Sequence, residues 1–229
     1  MSTLNVVTIG QAPRDDLTPE LTRILNTVSI LQNGALDLLS EEEIRRLAPG
    51  PEATGILTSR LRSGGTAVFT HADADPLVEA AISRGEEAGA DATLVICSSH
   101  FPELAHTKPV FFLEPLAHAA VTGLLTGYRD ARLGVLCPLP EQEAGAHVRW
   151  RADTGSELAA TAAASPYTDS LETIAAAVAR LAESSDVVVL DCAGYSAEMA
   201  AAGRVAAGGE VPVLTVRGLG VQLMAGLLT

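Results

Sequence analysis

The chain has 229 residues, 48% of them hydrophobic and 19% charged, with a formal net charge of −13. That much apolar material fills a core and excludes a disordered chain; at ~100–200 residues per domain it makes one large domain or two small ones. The acidic balance lacks the basic footprint that nucleic acid or an anionic membrane surface requires, and 3% aromatics cannot supply base-stacking platforms.

The first ten residues lack the charged and apolar regions of a secretory signal, and no stretch reaches the ~20 apolar residues of a spanning helix. Three cysteines, Cys97, Cys137 and Cys192, include no Cys-x-x-Cys pair. They argue against a disulfide framework or zinc site and for a cytoplasmic location.

In chain order, Asn5–Ile9 is the first continuous apolar run, the pattern of a strand buried on both faces. A helix follows over Leu17–Leu25, with Pro19 near its start. Ser40 and Glu43 form a capping box for a helix reaching Leu47. Ser63-Gly64-Gly65 marks a hairpin turn, and Thr66–Thr70 reads as a central strand. Asp75-Pro76 opens a helix towards Gly89, with Asp75 as its N-cap. Strands over Ala92–Cys97 and Val110–Leu113 lead into an apolar helix ending at Gly123–Leu125. Leu133–Cys137, Val187–Cys192 and Val211–Val216 are the later strands. An Ala-rich helix covers Thr168–Ser184, and an apolar helix ends at Gly226–Leu228. Such alternation means an α/β chain with parallel sheets.

The chain also repeats itself. Asp91–His100 aligns with Asp186–Tyr195, placing Cys97 opposite Cys192. Pro109–Leu116 resembles Pro212–Leu219, and Val6–Pro13 resembles Leu133–Pro140. Two halves are expected, 1–127 and 128–229, with the C-terminal helix able to pack back on the first. The first is longer, its surplus lying in Val28–Gly65.

Cys97 and Cys192 each read as the last residue of a strand before a polar turn and a helix. Ligands of open α/β sheets bind beyond the carboxyl ends of strands, and a helix N-terminus there favours a thiolate. If two such halves face each other about a pseudo-two-fold axis, the sulfurs approach one cleft from opposite sides. Removing a proton from one face of a carbon and returning it to the other needs two such groups. The alternative is that each cysteine simply packs at a strand end. Cys137 has no symmetric counterpart and reads as core or cleft wall.

Ile9-Gly-Gln-Ala-Pro-Arg14-x-Asp16, Phe112-Leu-Glu114-Pro and Val188-Val-Leu-Asp-Cys192-x-Gly194 resemble the AroM family over nearly the whole chain. The duplicated halves, each with a cysteine at a strand end, resemble the wider aspartate/glutamate/hydantoin racemase superfamily. The resemblance implies two pseudo-symmetric parallel-sheet α/β domains with a cleft between them. It also implies proton transfer, without pyridoxal phosphate, at a carbon next to a carboxylate or carbonyl. In the superfamily's racemases Asn-Thr or Asn-Ser follows the first cysteine and Thr-His the second. Here Ser98-Ser99 and Ala193-Gly194 stand there, so hydroxyl donors are kept at the first turn and a side-chain donor is lost at the second. Gly10–Arg14 replaces the racemases' early Asp-Ser-Gly loop.

Several neighbours are candidate substrate ligands. Arg14 could hold a carboxylate bidentately, or pair with Asp15 or Asp16. Gln11 offers an amide. Glu114 could bind an amino group or orient a thiol, or serve as a helix N-terminal charge. Tyr195, the repeat counterpart of His100, could assist proton transfer, and Thr70 ends a strand. His71-Ala-Asp73-Ala-Asp75 has a weak metal-ligand spacing, and no metal is expected. No phosphate-binding glycine loop is present and Lys108 is the only lysine, so no cofactor and no Schiff base are expected. The leading expectation is a cofactor-independent racemase or epimerase with Cys97 and Cys192 as acid and base, acting on a small carboxylate or carbonyl substrate. A single-cysteine lyase or decarboxylase, and a non-catalytic small-ligand binder, are the alternatives; a homodimer is left open.

Overall fold

Short aliphatic runs form two parallel four-stranded sheets in the computed structural model, which describes residues 2–228. The chain divides into two units, Met1–Phe112 with Met224–Thr229, and Leu113–Leu223. In the first, the elements run β1 (Thr3–Thr8), α1 (Thr18–Ile24), β2 (Ser29–Gly34), α2 (Glu41–Arg46), β3 (Ile56–Arg60), β4 (Thr66–Thr70), α3 (His71–Glu87), β5 (Ala92–Val95) and β6 (Val110–Phe112). The second holds α4 (Leu113–Leu125), β7 (Leu133–Cys137), a 3-10 turn (Pro140–Gln142), α5 (Glu143–Thr154), β8 (Leu158–Ala163), α6 (Leu171–Ala182), β9 (Val187–Leu190), α7 (Ala197–Ala206), β10 (Val213–Thr215) and α8 (Val216–Leu228); the end of α8 counts with the first unit.

The sheet orders are β2-β1-β5-β6 and β8-β7-β9-β10, with every neighbouring pair parallel. This is one topology used twice, and it is the structural form of the repeat. β5, β7 and β9 are buried along their whole length, as strands with both faces covered must be. On α6, Ile174, Ala177, Val178 and Leu181 make a buried stripe at helical spacing, while Ser170 accepts from the Thr173 amide at 3.2 Å to cap its start. Full burial of each of the three larger side chains is worth about 1.5–3 kcal/mol. α7 crosses α6 closely because Gly203 has no Cβ: one there would come within 2.8 Å of the Val178 side chain.

Four expectations are corrected. The strand Thr66–Thr70 is not central: it pairs antiparallel with β3 alone, in a hairpin that turns at Leu61–Gly65. That hairpin and α2 have no counterpart in the second unit, so the surplus of the first half lies here. α3 begins five residues earlier than expected, because Thr70 rather than Asp75 caps it, in a reciprocal box with Asp73. No helix follows Cys97: residues 96–109 lack regular structure and run on to β6. The division falls before α4 rather than near residue 127, since α4 packs with α5.

Candidate functional site

β5 and β9 are equivalent strands, and each ends two residues before a cysteine: Val95 before Cys97, Leu190 before Cys192. Both cysteines are half-buried, whereas Cys137, inside β7, is buried. Burial, with the Asp191 charge adding to it, pushes the Cys137 thiol well above its ordinary range. Cys137 is a core thiol; the matched pair is the one open to chemistry.

The turn after Cys192 is built in detail. The Gly194 amide donates to the Cys192 sulfur at 3.4 Å, and the Tyr167 hydroxyl lies 3.7 Å from that sulfur. Gly194 is required for this approach, because a Cβ there would sit 2.7 Å from three atoms of the Tyr167 side chain. The Ala193 carbonyl accepts from Nη1 of buried Arg217 at 2.9 Å. α7 starts a few residues on, with Ser196 as its cap, so a helix N-terminus follows Cys192 as expected. Ala193 contributes backbone only, and its side chain is buried.

Tyr195 points away from the sulfur. It is fully buried, and its hydroxyl lies 2.9 Å from the Cys137 carbonyl and 2.5 Å from that of Ala164. Burial pushes its ionisation above the ordinary range. It ties the ends of β7 and β8 to the turn and is a structural residue rather than a proton donor.

Glu114 is likewise committed elsewhere. Only 2% exposed, it accepts from Arg149 Nε at 2.7 Å. Arg149 Nη2 reaches Asp191 Oδ2 at 3.1 Å, and Trp150 Nε1 donates to that same oxygen. His118, one turn beyond Glu114, stacks on Trp150 with ring centroids 3.7 Å apart and meets Asp153 at 2.6 Å. Burial raises the Glu114 carboxyl, against the lowering pull of Arg149. This network sits behind Cys192, since Asp191 is its chain neighbour. Sequence reasoning missed Arg149, Asp191, Trp150 and Tyr167. Asp191 stands inside the Cys192 motif, which was a usable signal; the other three come from distant segments.

In the first unit, Arg14 is 4% exposed and grips Asp16 bidentately at 2.7 and 2.8 Å, with Nη1 reaching Thr8 at 3.2 Å. The pairing with Asp16 therefore occupies the fork that a substrate carboxylate would use. Gln11 accepts from the Arg62 amide at 3.1 Å and lines a cavity of about 780 Å³ with Leu39, Ile44, Leu61, Arg62 and Val68. Thr70 acts as the α3 cap. Beyond Cys97, Ser98 and Ser99 are half-buried, and Ser99 Oγ lies 2.7 Å from His71 Nε2. The amides of Ser98, Ser99 and His100 donate to no protein acceptor among the described residues, so they are free to meet an anion.

A family model described as AroM protein matches residues 4–228. No curated protein is a match to this sequence. Among solved structures, unliganded arylmalonate decarboxylase is similar with a TM-score of 0.64 at 11% identity, over 100% of this chain and 93% of that one. A glutamate racemase from Bacillus anthracis gives 0.63 at 14%, over 99% and 81%. A Nocardia farcinica maleate cis-trans isomerase mutant, holding a covalently bound succinylcysteine intermediate, gives 0.59 at 13%, over 99% and 93%. At these identities the likeness is one of fold, the two-domain α/β fold of the aspartate/glutamate racemases. No helix among the described residues is long and apolar enough to cross a membrane.

Proposed function

This chain belongs to the AroM family, and we propose that it is a cofactor-independent racemase or epimerase of a small carboxylate- or carbonyl-bearing substrate. Cys97 and Cys192 are its two acid/base groups. The observation that carries the reading is their equivalence: each follows the corresponding strand of a duplicated sheet by two residues, and each is half-buried. One thiolate removes the proton from a carbon next to a carboxylate, and the opposite thiol returns one to the other face. The unpaired amides at Ser98–His100, with the Ser98 hydroxyl, supply donors for the charge that develops on the carboxylate or carbonyl oxygens. Arg14 is not among the ligands, because Asp16 holds it. Racemase, isomerase and cysteine-adduct chemistry named for proteins of the same fold is consistent with the assignment.

A single-cysteine lyase is the second reading, favoured by the unlike turns: a helix follows Cys192 and none follows Cys97. Incubating the protein in heavy water with a panel of amino acids, hydantoins and arylmalonates separates them. The racemase reading expects deuterium at the stereocentre with loss of optical purity. Loss of carbon dioxide without racemisation supports the lyase, and retention of a ligand without exchange overturns both.

A further inference from the structure

The segment His71-Ala-Asp73-Ala-Asp75 holds a pair of side chains that neither cysteine needs. Asp73 is spent on the Thr70 cap. His71 and Asp75 lie one helical turn apart, with His71 Nδ1 and Asp75 Oδ1 at 3.6 Å. Asp75 Oδ1 is buried and has no hydrogen-bond partner, and it faces that ring nitrogen at ion-pair distance. On the other side of the ring, Nε2 meets Ser99 Oγ at 2.7 Å. Phe101 packs edge-on against the imidazole, centroids 5.3 Å apart, and the Gly55 carbonyl accepts from the His71 amide at 3.0 Å. Phe101 thus packs on the ring, and Gly55 anchors the backbone that carries it.

Serine, histidine and carboxylate stand here in the order used by acyl-transfer enzymes, where the constellation is recognised by geometry rather than sequence position. A carboxylate beside Nδ1 holds the proton on that nitrogen and leaves Nε2 to accept from the serine hydroxyl. The 3.6 Å gap is longer than a hydrogen bond, as such contacts often are before substrate is bound.

We propose that Ser99 is an activated nucleophile, with His71 as its base and Asp75 as the residue that positions His71, and that this set accepts acyl groups from small esters. Ser99 Oγ forms a bond to the ester carbonyl carbon while its proton passes to His71 Nε2. The tetrahedral adduct expels the alcohol, which leaves with that proton. Water then cleaves the acyl-serine, giving its proton to His71 and from there to the departing Ser99 oxygen, and the acid is released. The unpaired amides of Ser98, Ser99 and His100 lie in the same segment and can receive the oxyanion. Neither cysteine takes part, so this activity stands or falls apart from the proton-transfer reading.

The test uses the full-length protein and a fluorophosphonate, whose phosphorus is attacked by an activated serine oxygen with loss of fluoride and which leaves thiols alone. Peptide mapping of the wild type is expected to place the phosphonyl group on Ser99, which needs no variant to fold. Labelling is expected to vanish in Ser99→Ala and to slow at least 100-fold in His71→Gln. It is expected to slow about 10-fold in Asp75→Asn, with partial recovery in Asp75→Glu, which a merely structural role for Asp75 does not produce. An unlabelled Ser99 in the wild type, or equal labelling of His71→Gln, overturns the proposal. Heavy-water exchange in the same preparation scores the cysteine chemistry separately.

Discussion

Replacing Arg149 by methionine removes a cation that is bound to two buried carboxylates. Arg149 holds Glu114 at 2.7 Å and Asp191 at 3.1 Å, and those two side chains are 2% and 0% exposed. Breaking a buried ion pair from one side costs ~3–5 kcal/mol, because the remaining charge stays desolvated. Arg149 itself keeps 28% exposure, which screens part of the interaction, so a loss of about 2–4 kcal/mol is expected at neutral pH. The chain has one tryptophan, Trp150, buried in this network and bonded to Asp191, so urea unfolding followed by its fluorescence reports the second unit directly. At a slope of roughly 2 kcal/mol per molar, the midpoint falls by about 1–2 M. The loss also depends on pH. Burial already raises the Glu114 carboxyl, and removing Arg149 raises it further. A raised folded value means the folded state takes up the proton more readily than the unfolded one, so stability is gained as pH falls towards the ordinary carboxylate range. The gap between wild type and variant therefore narrows on acidification. A loss below about 0.5 kcal/mol at neutral pH, or a gap that widens in acid, refutes the reasoning.

Tyr195→Phe removes the hydroxyl that the Ala164 carbonyl accepts from, while the Cys137 carbonyl keeps the Ala164 amide at 3.0 Å, and is expected to cost about 1–3 kcal/mol in thermal or urea unfolding. Gly194→Ala drives a methyl into Tyr167 and displaces the phenol from Cys192. The iodoacetamide alkylation rate of Cys192, measured by peptide mass spectrometry, should change while that of Cys97 does not. The Arg132 side-chain hydrogen bond, with its backbone amide, lowers Asp186 from 3.8 to about 2. That pair stabilises the fold above pH 3.8 and loses its effect as pH falls towards about 2. The midpoint difference between wild type and Arg132→Gln should thus be constant near neutrality and shrink below about pH 4.

The parts of the fold that the sequence discloses are those with a local physical signature. β9 is an unbroken Val/Leu run, β5 and β7 are short runs without a charged residue, and the Ser40–Glu43 box is seen as expected. β2 (Ser-Ile-Leu-Gln-Asn-Gly) and β8 (Leu-Ala-Ala-Thr-Ala-Ala) pass unnoticed, because an outer strand of a four-stranded sheet tolerates polar or small residues. Asp75 misleads for a different reason: Asp before Pro is a strong cap signal, yet Thr70 with Asp73 offers a reciprocal box five residues earlier. At the site, the repeat singles out Cys97 and Cys192 without help from structure. Arg14 and Glu114 look like ligands in one dimension; Asp16 and Arg149 occupy them in three. Asp16 is a chain neighbour, visible beside Arg14 in the sequence, whereas Arg149 arrives from another helix.

The central claim is that each cysteine serves one face of the same carbon. It is tested most directly by heavy-water exchange on each separate enantiomer of a turned-over substrate, with Cys97→Ser and Cys192→Ser measured side by side. Each variant should lose racemisation yet keep exchange with one enantiomer, and the two variants should keep opposite ones. Exchange of both enantiomers by either variant, or racemisation by the double variant, contradicts it.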